Sequence, residues 1–228
     1  MIEENSQIKI VGSFEELTTK KFQGSTNALC WKRELRGNFE ELVSKLKLKE
    51  NITEISQEDL LKLSLSEDGI FARNSILEDM KNLEKFGAQP SLNLLQYYEK
   101  DDEFDFISTD VYSYHVDRSP VLIDTYLCTY FGAPSDIIKN AECRKKIDIP
   151  EVRAQIKNLF DGSEEGFENF IKENFFDLHY EALDSAKPTN LGNSHLWRLA
   201  VDHPQQNVQP CVHRAPLENN QLRLMLIC

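Results

Sequence analysis

The chain has 228 residues, a formal net charge of -12 and a hydrophobic fraction of 40%, including 13 Phe, 7 Tyr and 2 Trp. This suits one globular domain spanning 1–228 rather than a disordered tail, and no run approaches the roughly 20 apolar residues of a membrane-spanning helix. With no such run, no membrane partner is expected, and the acidic balance repels polyanions, which argues against nucleic acid and leaves a small-molecule substrate as the expectation.

Five cysteines, Cys30, Cys128, Cys143, Cys211 and Cys228, are widely separated and form no C-x-x-C pair. Together with an N-terminus that carries Glu3 and Glu4 and no basic-then-apolar run, they point to reduced thiols in a cytoplasmic protein.

After a short strand at 8–11, residues 1–89 read as a mainly helical extension. Asn38 caps a helix with apolar residues at Phe39, Leu42, Val43 and Leu46; Ser56 and Asp59 form a capping box; Ser66 or Asn74 starts a third helix that Gly87 stops. From Pro90 the character changes, and 92–98, 111–117 and 121–131 read as strands rich in β-branched and aromatic residues. A helical insertion is expected over 135–189, with helices at 135–145, 150–160 and 164–183. Strands resume at 196–201, near 208–212 and at 222–228. The fold class expected is α+β, with the β core formed by 90–134 and 190–228.

Two H-x-[DE] triplets occur, and random placement of 5 His and 38 acidic residues yields roughly one, so context has to discriminate. His179-Tyr180-Glu181 falls in a stretch that reads as helical, where residues two apart diverge by about 200° and cannot share an ion. His115-Val116-Asp117 ends a strand, where residues two apart project from one face and can close on one metal. Far along the chain, Cys211-Val212-His213 and Leu222-Arg223-Leu224 flank a polar turn centred on Glu218. A hairpin there would place His213 beside Arg223. Arg223 alternates with leucines, and a buried guanidinium needs an anionic partner, either a protein carboxylate or a ligand carboxylate. Two imidazoles and one carboxylate with open positions are the ligand set of non-heme Fe(II) oxygenases.

With His115, Asp117, His213 and Arg223, ten residues on, the chain resembles the Fe(II)/2-oxoglutarate-dependent dioxygenase superfamily; segments 114–117, 127–134 and 212–216 are similar to an uncharacterised bacterial family within it. The resemblance covers about 92–228. It implies a double-stranded β-helix (jelly-roll, cupin-like) core, Fe(II) held by His115, Asp117 and His213, and 2-oxoglutarate held at its far carboxylate by Arg223. It also implies O2 as co-substrate and hydroxylation of a small-molecule or amino-acid-like substrate, while Asp117 disfavours halogenation, because related halogenases have Gly or Ala there.

Many members carry Ser or Thr two positions after the basic residue. Met225 stands there in this chain, so Thr129 or Tyr126 is the candidate for that contact. Trp197 and Arg198 are candidates for the substrate pocket, Arg198 for an anionic group, with a core tryptophan and a rim arginine as the alternative. His195 and His203 read as solvated loop residues. Rival functions are a cupin-like metal-binding or sensor protein, an iron oxygenase in which Arg223 holds the substrate itself, and an interaction protein with a degenerate site.

Overall fold

The computed structural model describes residues 2–217 and 219–228 and contains two sheets. A seven-stranded mixed sheet runs in the order β1 (Ile8–Val11), β2 (Ala28–Trp31), β11 (Leu196–Leu199), β6 (Thr125–Phe131), β13 (Arg223–Ile227), β4 (Ser91–Leu95) and β3 (Ile52–Glu54), with β1 and β2 its parallel pair. A six-stranded antiparallel sheet, curled as a half-barrel, runs β10 (Thr189–Asn190), β7 (Asp136–Ile138), β12 (Val212–Arg214), β5 (Tyr114–His115), β9 (His179–Ala182) and β8 (Cys143–Lys145). No helix among the described residues is long and apolar enough to cross a membrane.

The period-two alternation of strand side chains divides the seven-stranded sheet into two faces. Leu92 and Leu94 of β4, Tyr126, Cys128 and Tyr130 of β6, and Leu224 and Leu226 of β13 lie in one core cluster. They share it with Leu17 of α1 (Phe14–Thr19), Leu42 of α2 (Phe39–Lys45), Leu60 of α3 (Gln57–Leu61) and Ile76 of α4 (Glu67–Phe86). Each fully buried leucine there contributes about 1.5–3 kcal/mol of burial free energy. The other face turns Asn93, Leu95, Thr125, Leu127, Arg223, Met225 and Ile227 toward the six-stranded sheet, and a cavity lies between the two sheets.

Local chemistry sets the helix ends. The Ser56 side chain accepts from the Asp59 amide while Asp59 accepts from the Ser56 amide. Ser66 caps α4, and Gly87, at φ 97°, closes it in the left-handed conformation. Gly132 matters more for the cavity. Its φ is 84°, and a Cβ there would lie 2.4 Å from the Leu222 carbonyl oxygen and 2.9 Å from the Arg223 Cα, so only glycine lets β13 approach at this point.

Four expectations are corrected. Residues 1–89 carry the expected strand at 8–11, β1, but also β2 and β3, and all three join the larger sheet, with β2 bridging β1 to β11. Within 135–189, the helices at α5 (Pro150–Leu159) and α6 (Phe167–Glu173) are present, but 135–145 contains β7 and β8 and 179–182 is β9. Ile137 and Ile138 fall in different core clusters, as a strand requires, and Phe175, at φ 59°, breaks the helical path before His179. The strand expected over 111–117 shortens to β5, because the Asp110 carboxylate accepts from the amides of Tyr112 and Ser113 and holds them in a turn. Finally, β12 and β13 form no hairpin. Each is paired on both sides within its own sheet, and the expected turn centre, Glu218, lies outside the described residues.

Candidate metal centre

His115 and His213 are register partners on the antiparallel strands β5 and β12, with ring centroids 4.4 Å apart. Each ring has its Nδ1 against a backbone carbonyl, Ser113 O at 2.8 Å for His115 and Cys211 O at 3.2 Å for His213. A carbonyl only accepts, so Nδ1 carries a proton in both rings, which leaves Nε2 as the nitrogen available to a cation. Desolvation, then the neighbouring His213 ring, pushes the His115 pKa down to about 4, which makes it neutral at physiological pH.

Asp117 follows β5, and its Oδ2 lies 3.6 Å from His213 Nε2. The Thr125 hydroxyl donates to the same Oδ2, and the Asp202 amide donates to the Asp117 carbonyl at 2.7 Å, fixing both side chain and backbone. Desolvation raises the Asp117 pKa, but the His213 ring and the Thr125 hydroxyl outweigh it and hold the carboxyl below its ordinary value. One ligand atom from each of His115, Asp117 and His213 lies within 4.8 Å of the others, a donor set of two imidazoles and one carboxylate that fits a divalent transition metal.

Arg223 lines the same cavity, which has a volume of about 240 Å³. It is 6% exposed, and its Nη2 donates to the hydroxyls of Ser135 at 2.9 Å and Thr129 at 3.3 Å. Its Nε is buried with no partner, and among the described residues no carboxylate pairs with it. Desolvation lowers its pKa, with the phenols of Tyr98 and Tyr112 opposing. Such a cation is costly to leave uncompensated, so the cavity is electrostatically prepared for an anion.

The residues named from sequence divide. His115, Asp117, His213 and Arg223 line one cavity, and Thr129 touches Arg223. Tyr126 sits on the opposite face of β6, edge-on to Phe86. Trp197 faces inward but is core, its Nε1 donating to the Leu191 carbonyl at 2.9 Å. Arg198 points to the outer face, where it pairs with Asp124, donates to the carbonyls of Leu17, Thr18 and Lys20, and lies over the Phe22 ring; it ties α1 to the sheet rather than facing the cavity. Arg33 Nε donates to the Ser194 carbonyl and the Arg33 amide to His195 Nδ1, so His195 is engaged.

Three residues went unnoticed in sequence, and a fourth, His179, was set aside as helical. Thr125 shares the inward parity of Leu127, and Ser135 precedes β7; both signals are short. Tyr98 lines the cavity and donates to Met225 Sδ at 3.5 Å. His179 is the register partner of His115 in β9, with ring centroids 5.9 Å apart, and its helical reading hid it. It is buried, its Nδ1 has no partner, and desolvation, then His115 and Lys146, drives its pKa to about 3.

No family profile matches the chain, and comparison with characterised proteins and with solved structures likewise returns no match.

Proposed function

We propose that this protein is a non-heme iron oxygenase that couples oxidative decarboxylation of 2-oxoglutarate to hydroxylation, or a related C–H oxidation, of a small-molecule substrate. The observation that carries the reading is a buried guanidinium without a protein carboxylate, lining the same cavity as two imidazoles and a carboxylate poised for a metal. A metal centre alone would not need that cation.

Connectivity supports a double-stranded β-helix. Eight strands in chain order, β4, β5, β6, β7, β10, β11, β12 and β13, distribute as β11-β6-β13-β4 in one sheet and β10-β7-β12-β5 in the other, which is jelly-roll wiring. The N-terminal strands, β8 and β9 then extend this core.

His115 and His213 through Nε2, and Asp117 through its carboxylate, would hold Fe(II), with the Thr125 hydroxyl keeping the carboxylate turned toward the imidazoles. Bound there, ferrous iron would activate O2 and couple its reduction to loss of CO2 from the 2-oxo acid and oxidation of a substrate C–H bond. Arg223 would pair with the far carboxylate of 2-oxoglutarate in a charge-assisted, bidentate contact. The Ser135 and Thr129 hydroxyls already on its Nη2 would supply the polar contact that Met225 lacks. Tyr126 faces away and is not assigned that role. Closure of the cavity by Leu95, Leu127 and Met225 keeps bulk water from the guanidinium, so the pair with a carboxylate is stronger than at a surface.

The test is sequential. Under nitrogen, Fe(II) followed by 2-oxoglutarate should develop a visible metal-to-ligand charge-transfer band, and admission of air should release succinate. A protein that binds Fe(II) but shows neither band nor succinate would be a metal-binding or sensor protein instead.

A further inference from the structure

We infer that Tyr98 is an exchangeable hydrogen-bond donor of the anion site: its phenol hydroxyl, held by the Met225 thioether, leaves that sulfur for the far carboxylate of 2-oxoglutarate when Arg223 receives it. The inference rests on the 2-oxoglutarate reading for the identity of the anion, but its support is the imbalance of donors and acceptors around the guanidinium.

Strand register brings the three side chains together. Arg223 and Met225 stand two apart on β13 and share its cavity face, opposite Leu95 and Asn93 of β4. Tyr98 follows the end of β4, lines the same cavity and reaches back to Met225, its hydroxyl donating to Sδ at 3.5 Å. The backbone of Tyr98 is fixed. The Tyr112 hydroxyl accepts from its amide at 2.8 Å and donates to its carbonyl at 3.3 Å, and the two rings meet edge to face with centroids 6.0 Å apart. The Tyr98 hydroxyl is held far less firmly, because a thioether is a weak acceptor and, among the described residues, the Met225 sulfur is the acceptor it has.

Around the guanidinium, donors outnumber acceptors. Arg223 Nε is buried with no partner, and the Ser135 and Thr129 hydroxyls that accept from Nη2 each keep a proton that no described residue takes up. Tyr98 keeps its proton too. Burial pushes its pKa up against the pull of the Arg223 charge, so at neutral pH it is a phenol that donates and not a phenolate that could neutralise the guanidinium. One fixed cation among neutral O–H donors is matched to a singly charged ligand rich in acceptors, which describes a carboxylate. Hydrogen bonds to an ionised acceptor are stronger than neutral ones, so the hydroxyl gains by exchanging sulfur for a carboxylate oxygen.

Calorimetric titration of 2-oxoglutarate into the full chain carrying Mn(II) tests the exchange in the parent, Tyr98→Phe, Met225→Leu and the double variant, with Mn(II) uptake measured beforehand. Tyr98→Phe should weaken 2-oxoglutarate by about tenfold or more, the effect of losing a hydrogen bond to a charged group. It should leave unchanged the binding of 2-oxopentanoate, which has the same five carbons and no far carboxylate. Met225→Leu removes the sulfur that competes for the phenol proton, so it should tighten 2-oxoglutarate by about two- to fivefold when Tyr98 is present and have no effect in the Tyr98→Phe background. A mere packing effect of leucine would appear in both backgrounds. Parent-like 2-oxoglutarate affinity in Tyr98→Phe, equal losses for the two 2-oxo acids, or the same response to Met225→Leu in both backgrounds would overturn the inference. Glutarate titrated into the metal-free chain separates this assignment from the oxygenase reading. If the Mn(II) protein takes up no 2-oxoglutarate but glutarate binds and weakens about tenfold in Tyr98→Phe, that reading fails and Tyr98 stands as an anion ligand. A parent that binds neither dicarboxylate would overturn both.

Discussion

His115 and His213 face each other across β5 and β12 as direct register partners, and both are held with Nδ1 on a backbone carbonyl. Orientation is thus set by the strands themselves rather than by a neighbouring side chain. Two rings so placed leave both Nε2 atoms near the Asp117 carboxylate, where the three groups can close on one cation.

Arg223→Met should separate the two halves of the site. Loss of a buried, charge-assisted contact should weaken 2-oxoglutarate binding by about 30- to 1,000-fold, while metal affinity stays within about threefold of the parent. In the ligand-free protein the same substitution removes an uncompensated buried cation and should raise Tm. Scanning fluorimetry with and without 2-oxoglutarate checks both effects. Equal losses of metal and 2-oxoglutarate binding would contradict the assignment.

Thr125→Val should lower metal affinity by about 10- to 100-fold, since its hydroxyl holds Asp117 Oδ2 in place, and Thr125→Ser should recover most of it. Metal titration of the three proteins is decisive, because a purely steric role for Thr125 would be kept by valine.

The metal-free protein should lose stability as pH falls from about 6.5 toward about 4. His115, at about 4, and His179, at about 3, both titrate below the ordinary value of 6.5. In that window the unfolded chain takes up protons that the folded protein refuses, so acid favours unfolding. Asp117, lowered from 3.8, adds its own loss only below that range. Thermal melts across pH 4–8 check the slope, and His179→Gln should make it shallower; a Tm that rose on acidification would refute the burial of neutral imidazoles.

Much of this site could be read from the chain because its signals are local. The strand spacing of His115 and Asp117, the leucines alternating with Arg223 and the caps at Ser56 and Ser66 depend on near neighbours only. What escaped depends on distant partners. His179 lies in a polar, Phe-rich stretch with helical character, and pairing with β5 makes it a strand. The supposed hairpin of His213 and Arg223 placed both residues at one site for a wrong geometric reason: they come together across two sheets, each strand paired elsewhere. Arg198 shows the converse, since strand parity puts it on the outer face opposite Tyr126, where an acidic partner, Asp124, waits.

The central claim is most directly tested by calorimetric titration of Mn(II) into the parent and into His115→Ala, Asp117→Ala and His213→Ala. One ion per chain should bind to the parent, and each variant should lose about 100-fold or more in affinity, beyond the usual effect of removing a supporting hydrogen bond. Binding that survives unchanged in any of the three variants would contradict the account.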